Sequence, residues 1–336
     1  QLVGANRAFA AQGLKVMSKL ENVGVAALAK VAGIEIPTSV YHATYVLGPR
    51  LNAGGRLGTA IMAAQLLATD DPIEARRLAE QLDALNTERR QVEAHALLEA
   101  EAQLQRHQDD PVLVAAGPWP PGVVGIVAGR LKEKFLKPAI VIGWDGVHDG
   151  MAKGSGRSVS GVNLGDALSA SAAAGVLVAG GGHAMAGGLT VAMDRIDAFR
   201  ADINERLSKA CLAAADEARA LMIDGVMGVG AATIDFCERL EALGPYGAGN
   251  PSPVFVLSNV SVAHAARAGT DHVRGTFADD NDRRIRGIAW RAANAPLGEA
   301  IFSRNERLHL AVRVQINEWN GRRSAEVEII DGAPAK

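Results

Sequence analysis

Aromatic residues are rare in this chain, 4% of 336 positions, so its cores have to be packed from Leu, Val, Ile and Ala. Cysteine is rarer still. Cys211 and Cys237 are too few for a disulfide framework and lack the spacing of a zinc site, a composition that fits a reducing, cytoplasmic setting. No apolar run reaches the length that spans a bilayer, and no signal peptide is evident, which argues against a membrane role. Charge of one sign is lacking too. With 35 Lys and Arg against 37 Asp and Glu the net is -2, which argues against a protein that coats nucleic acid indiscriminately but leaves room for a local groove. The length points to two or three domains. The chain opens on Gln1 rather than Met, and its first residues read like the inside of a fold, suggesting the C-terminal part of something longer.

Glycine, by contrast, is plentiful and unevenly placed. The run from Gly180 to Gly188 surrounds His183 with five glycines and two alanines, and Lys153-Gly154-Ser155-Gly156-Arg157-Ser158 precedes it. Such segments keep bulk away from the backbone and let another molecule approach it. Free N–H groups in a glycine turn form a hollow for anions, and a guanidinium adds a bidentate fork for phosphate. Together the two motifs suggest a phosphate-ester site. Either alone reads equally well as a tight turn joining a strand to a helix.

Residues 1–69 read as short helices, with Gln12–Leu20 and Val23–Val31 the clearest, followed by a Gly-rich loop over 48–58 that carries Arg50, Asn52 and Arg56. From Asp71-Pro72 to about His107 no Gly or Pro intervenes. Leu78, Leu82, Leu85, Val92 and Ala96 recur at helical spacing, predicting one long connecting helix whose charges, Arg76, Arg89 and Arg90 among them, form a solvated face. Apolar strands at 112–116, 138–142 and 189–191 alternate with helices at 123–134, 164–173 and 197–219, an α/β layer with a covered sheet. Beyond Leu221 short strands dominate. Alternation over 308–317 and 325–329 about an Asn320-Gly321 turn, with strands near 254–257, 272–277 and 284–290, suggests a small antiparallel barrel.

The motifs and their order resemble those of RecJ single-strand-specific exonucleases. Pro49-Arg50-Leu51-Asn52-Ala53-Gly54-Gly55-Arg56-Leu57 is similar to the signature before that family's connecting helix, and Asp83-Ala84-Leu85-Asn86-Thr87-Glu88-Arg89-Arg90-Gln91 to the helix. Residues 121–131, the Gly154–Ser158 run and Gly180–Gly188 resemble its DHHA1 domain; Leu243–Phe255 resembles the entry to its OB-fold. The implied fold is a multidomain α/β protein. Its parts are a C-terminal remnant of a DHH domain (1–69), a connector helix (70–108), a DHHA1 domain (109–219) and an antiparallel OB-fold barrel (220–336). The family's metal ligands lie in Asp-x-Asp and Asp-His-His elements, which this sequence lacks.

The resemblance implies 5′→3′ hydrolysis of single-stranded DNA with Mn²⁺ or Mg²⁺, the ligands lying outside this chain, which should be nearly inert alone. Ser155, Arg157, Ser158, Gly181, Gly182 and His183 are the expected phosphate site, His183 supporting catalysis from the cleft, with Arg50, Asn52 and Arg56 facing it from the connector side. On the barrel, Arg274, Arg286, Trp290, Arg313 and Trp319 are candidate strand contacts, although nearby acids make an ordinary mixed-charge surface the competing reading. Single-stranded DNA is the implied partner, with a single-strand-binding protein or a helicase as candidate protein partners. Two other functions stay open: a DHH-DHHA1 phosphoesterase acting on short oligonucleotides or nucleotides, and a non-catalytic single-strand-binding module.

Overall fold

The structure, a computed structural model, describes residues 1–57, 59–145, 150–319 and 321–335, and the side chains of all of these except 216–219 and Trp319. The chain divides into two units, Val16–Ala220 and a second made of Gln1–Lys15 with Leu221–Lys336. The expected single segment 1–69 is thus split between them.

Helices come first: α1 (Gly4–Met17), α2 (Val23–Val31), α3 (Gly48–Leu57), α4 (Ile61–Ala68) and α5 (Pro72–Leu104). Asn22 caps α2 by accepting from the Val25 N–H, as Asp71 caps α5 by accepting from Ile73. The expected loop over 48–58 is mostly α3 (Gly58 lies outside the described residues). Pro49 sits in its first turn, where a missing N–H costs nothing, and Ala53 and Gly54 are buried. A π-helical turn, His42–Leu47, leads into it.

At 33 residues, α5 is about 50 Å long. It runs past two cores of the first unit. Near its start Ala75, Leu78, Ala79 and Leu82 pack with Leu28, Leu47 and Leu66; near its end Ala96, Ala100 and Leu104 join the second core. Between them the inward stripe turns polar: Asn86, Arg89 and Glu93 are all buried. The expectation that Arg89 belongs to a solvated face is corrected here.

The second core lies under a five-stranded sheet, β1 (Leu113–Gly117), β2 (Ala139–Gly143), β3 (Met151–Arg157), β4 (Ala179–His183) and β5 (Ala186–Ala192), ordered β1-β2-β3-β5-β4. Only β1 and β2 run parallel. Helix α6 (Pro121–Phe135) and the end of α5 cover one face over β1, β2 and β3, while α7 (Leu164–Ala173) and α8 (Ile196–Arg219) pack on the other. The free edge of β1 is closed by side chains that stand in for a strand: Gln103 pairs with both backbone groups of Ala116, and Asn204 with both of Val112.

The glycine run is therefore a β-hairpin, β4 and β5, and not a strand-to-helix turn. Its tip is pinned from below, the Ser158 N–H donating to Met185 O and the Leu164 N–H to Ala184 O. A Cβ on Gly182, at φ +150, would strike the Ala186 carbonyl, and one on Gly187 the Leu168 methyl.

In the other unit β6 (Gly225–Met227), β7 (Phe255–Ala268), β8 (His272–Ala278), β9 (Arg284–Ala289), β10 (Leu308–Trp319) and β11 (Arg322–Pro334) surround a core of Leu257, Val260, Phe277, Leu310, Val312 and Val327. The order β7-β8-β9-β11-β10 returns to β7, closing a five-stranded barrel. Of these pairs β9 with β11 is parallel, so the barrel is not antiparallel throughout. Helices α9 (Ile234–Ala242) and α10 (Pro296–Ser303) stand where the sequence suggested strands alone. Leu2 bonds to Ala248 and Arg7 to Gly244, tying the first residues to this unit. Asn320 of the expected β10–β11 turn lies outside the described residues.

Candidate nucleic-acid interface

Residues directly opposite on paired strands point to the same side of a sheet. The register therefore sets Lys153, Thr190 and Ala179 in one row, Ser155, Gly188 and Gly181 in the next, and Arg157, Ala186 and His183 in the third. They share the face that α6 covers over β2 and β3, although at the β4 edge a Cβ on Gly181 would lie 3.3 Å from Ser169 Oγ of α7. They form a shelf about 10 Å wide and 13 Å long at ordinary strand spacing and rise. Its middle is bare: a Cβ on Gly188 would find no neighbour nearer than 3.9 Å. None of the nine is acidic, and His183 is exposed.

Arg157 is held ready on this shelf. Its Nη1 donates to Ser155 Oγ at 3.0 Å and to the Gly156 carbonyl at 2.8 Å, and among the described residues the rest of the guanidinium meets no carboxylate. Ser155, accepting from Arg157, keeps its own O–H to give. Helix α6 is the wall beside them and is cut back by glycine. A Cβ on Gly125 would lie 3.0 Å from Ser155 Oγ and 3.1 Å from Arg157 Nη2, and one on Gly122 would collide with the Arg56 carbonyl. Across that close approach Arg56 Nη1 donates to Gly122 O at 2.8 Å.

Behind Arg56 stands the polar stretch of α5. Arg89 donates to Glu93 at 2.6 Å and to Asn86 at 3.0 Å, and Arg130 of α6 reaches the other Glu93 oxygen at 3.4 Å. Burial and then the neighbouring Arg89 lower the Arg56 guanidinium from its ordinary value; Glu93 raises it and Arg157 lowers it again. It keeps its proton, since an arginine titrates far above neutrality. Arg89 and Arg130 thus share the Glu93 carboxylate, while Arg56 and Arg157 have no ion pair among the described residues. A surplus of positive charge on and beside a glycine-floored shelf that carries no acidic residue is suited to binding an anion.

The structure brings together Ser155, Arg157, Gly181, His183 and Arg56 of the expected site. Others fall elsewhere. Ser158 is buried and donates to Val162 O, Gly182 faces the opposite side under α7, and Arg50 is committed to Asp83 of α5 at 2.7 Å. Asn52 is exposed on α3. On the barrel Arg286 pairs with Glu326 and Arg313 with Glu328, so neither is a free cation. Trp290 is 53% exposed, its ring edge-on to His272 at 4.8 Å, and Arg274 is exposed without a carboxylate partner. The Trp319 side chain lies outside the described residues. Lys153, Gly125, Arg89, Glu93 and Arg130 were not anticipated. Their signals in the sequence were Gly122 and Gly125 three apart on one helix, and Asn86, Arg89 and Glu93 at the spacing of an inward stripe.

Comparison with known proteins agrees with this architecture. The DHHA1 domain family matches residues 109–209 and the RecJ OB domain family residues 223–331. The single-stranded-DNA-specific exonuclease RecJ of Bacillus subtilis is 32% identical over 98% of this chain and 41% of its own length; that of Dickeya dadantii is 32% identical over 96% and 57%. Crystal structures of Thermus thermophilus RecJ with Mg²⁺ and with Mn²⁺ superpose with TM-scores of 0.78 at 27% and 28% identity, covering all of this chain and 50% and 47% of theirs. The chain spans about half the length of the relatives it matches.

Proposed function

This chain belongs to the RecJ family, and from that premise we propose that it supplies the strand-holding part of a 5′→3′ exonuclease specific for single-stranded DNA. Ser155 and Arg157 hold the phosphate at the strand end, Arg56 adds charge from the wall, and His183 meets phosphate or sugar across the row. The observation that carries this reading is the shelf itself: an unpaired guanidinium tethered to a serine, opposite a histidine, over glycines that let a nucleotide lie against the backbone. Residues 109–219 act as the DHHA1 domain, 220–336 as the OB-fold, 70–108 as the connector and 1–69 as the end of a DHH domain. Trp290 and Arg274 are the barrel residues best placed for a passing strand. A single-strand-binding protein or a helicase as partner, and action in the cytoplasm, belong to the same proposal through family likeness.

The metal-bound relatives raise the question of whether this chain could hold such an ion. Among the described residues no group of three or more His, Cys, Asp or Glu side chains comes together, and Glu93 is taken up by Arg89 and Arg130. The described residues do not fit a metal centre. The chain binds and orients.

The test is fluorescence anisotropy with oligo-dT bearing a 5′-phosphate or a 5′-hydroxyl, and with duplex. The expected result is tightest binding to the phosphorylated single strand, without degradation in Mn²⁺. Losing a charged donor should weaken Arg157→Ala by about tenfold or more. Equal binding by the variant, or indifference to the 5′-phosphate, would remove the shelf from the site.

A further inference from the structure

We propose that Lys153 is a second backbone-phosphate contact, so that β3 is a track for two consecutive phosphates and not a pocket for one. This rests on the shelf reading above and extends it. Lys153, Ser155 and Arg157 alternate outward along β3, with Ala152, Gly154 and Gly156 turned into the core between them. Successive outward residues stand about 6.6 Å apart. That step is comparable to the distance between neighbouring phosphates of a strand whose bases are unstacked. With a terminal phosphate between Arg157 and Ser155, the next phosphodiester comes within reach of the Lys153 ammonium.

Lys153 is also open to a ligand. It is exposed on a central strand and has neither ion pair nor hydrogen bond among the described residues. Several cations of this unit are matched: Arg50 by Asp83, Arg76 by Glu80, Lys134 by Glu101 and Arg206 by Asp202. Its row neighbours are small, Gly143 on β2 and Thr190 on β5, which leaves the ammonium room to follow a ligand. An unmatched, unshielded lysine in line with Ser155 and Arg157 is the arrangement that reads backbone charge without reading bases.

The inference makes binding depend on length. Thymidine 5′-monophosphate touches Arg157 and Ser155 alone, whereas 5′-phosphorylated dinucleotides and longer oligo-dT also engage Lys153. Titrations of both ligands into the wild-type chain and Lys153→Ala should give equal affinity for the monophosphate and about tenfold weaker binding of the oligonucleotides by the variant. The slope of log affinity against log salt should become shallower by about 0.7, one single-strand phosphate contact. Lys153→Arg should restore both. If Lys153→Ala binds oligonucleotides as wild type does, or loses the monophosphate equally, the track is refuted while the shelf stands. If the wild-type chain binds no oligonucleotide, the shelf reading falls and the track with it.

Discussion

Gly125 is the residue at which folding and binding make opposite demands. Alanine in a helix interior is favoured over glycine by about 0.8–1 kcal/mol, so α6 by itself would be steadier with Ala there. The shelf forbids it: the added methyl would press on Ser155 Oγ and on Arg157 Nη2 at 3.0 and 3.1 Å. Gly125→Ala should therefore leave the melting temperature unchanged or raised while weakening binding of 5′-phosphorylated single strands several-fold, both read on the same preparation. A fall in stability with unchanged affinity would mean that the glycine serves packing alone. His183 poses the reverse case. It is exposed and shares Arg157's row, so removing its imidazole leaves the core untouched and, on the proposed reading, takes away a ligand contact.

The same opposition governs α5. Its inward stripe is apolar at both ends and polar where it passes Arg56, with Arg89 and Glu93 buried as an ion pair. Removing one partner of such a pair strands a charge and costs about 3–5 kcal/mol, whereas replacing both with apolar residues is often neutral or stabilising. Glu93→Ala should accordingly destabilise the chain by about 3 kcal/mol in urea melts. The double variant Arg89→Met/Glu93→Leu should recover most of that loss yet bind phosphorylated single strands more weakly than wild type. Full binding by the double variant would show that the triad is a packing feature with no bearing on Arg56. The sequence displayed the helix, its cap and its length, because an uninterrupted run after Asp71-Pro72 leaves little else. It did not display which charges are inside. Buried arginine is rare unless paired, so Arg89 reads as solvated until the partner four residues on is seen to share its burial.

Across the molecule, legibility followed how local the determinants are. The barrel strands announce themselves through alternation, as at 308–316, and the glycine-histidine run marks the site at once. That the run is a hairpin was hidden, since glycine is a poor strand former and pairs here because α7 and the hairpin's own backbone leave no room for side chains at Gly180, Gly182 and Gly187. Which barrel arginines are free was hidden too, because Arg286 and Arg313 meet their acids only across the sheet, from Glu326 and Glu328. That pairing decides how the chain should respond to salt. Each single-strand phosphate neutralised contributes about -0.7 to the slope of log affinity against log salt. If Arg56, Arg157 and Lys153 are the cations that meet phosphate, the slope for a short phosphorylated oligo-dT should be about -2. Recruiting the paired barrel arginines Arg286 and Arg313 as well would require breaking their ion pairs and would steepen it to about -3.5. Affinity measured over a tenfold range of salt separates the two. A steep slope would move the principal contact from the shelf to the barrel, whereas a slope near -2 leaves the strand gripped by Arg56, Arg157 and Lys153 alone.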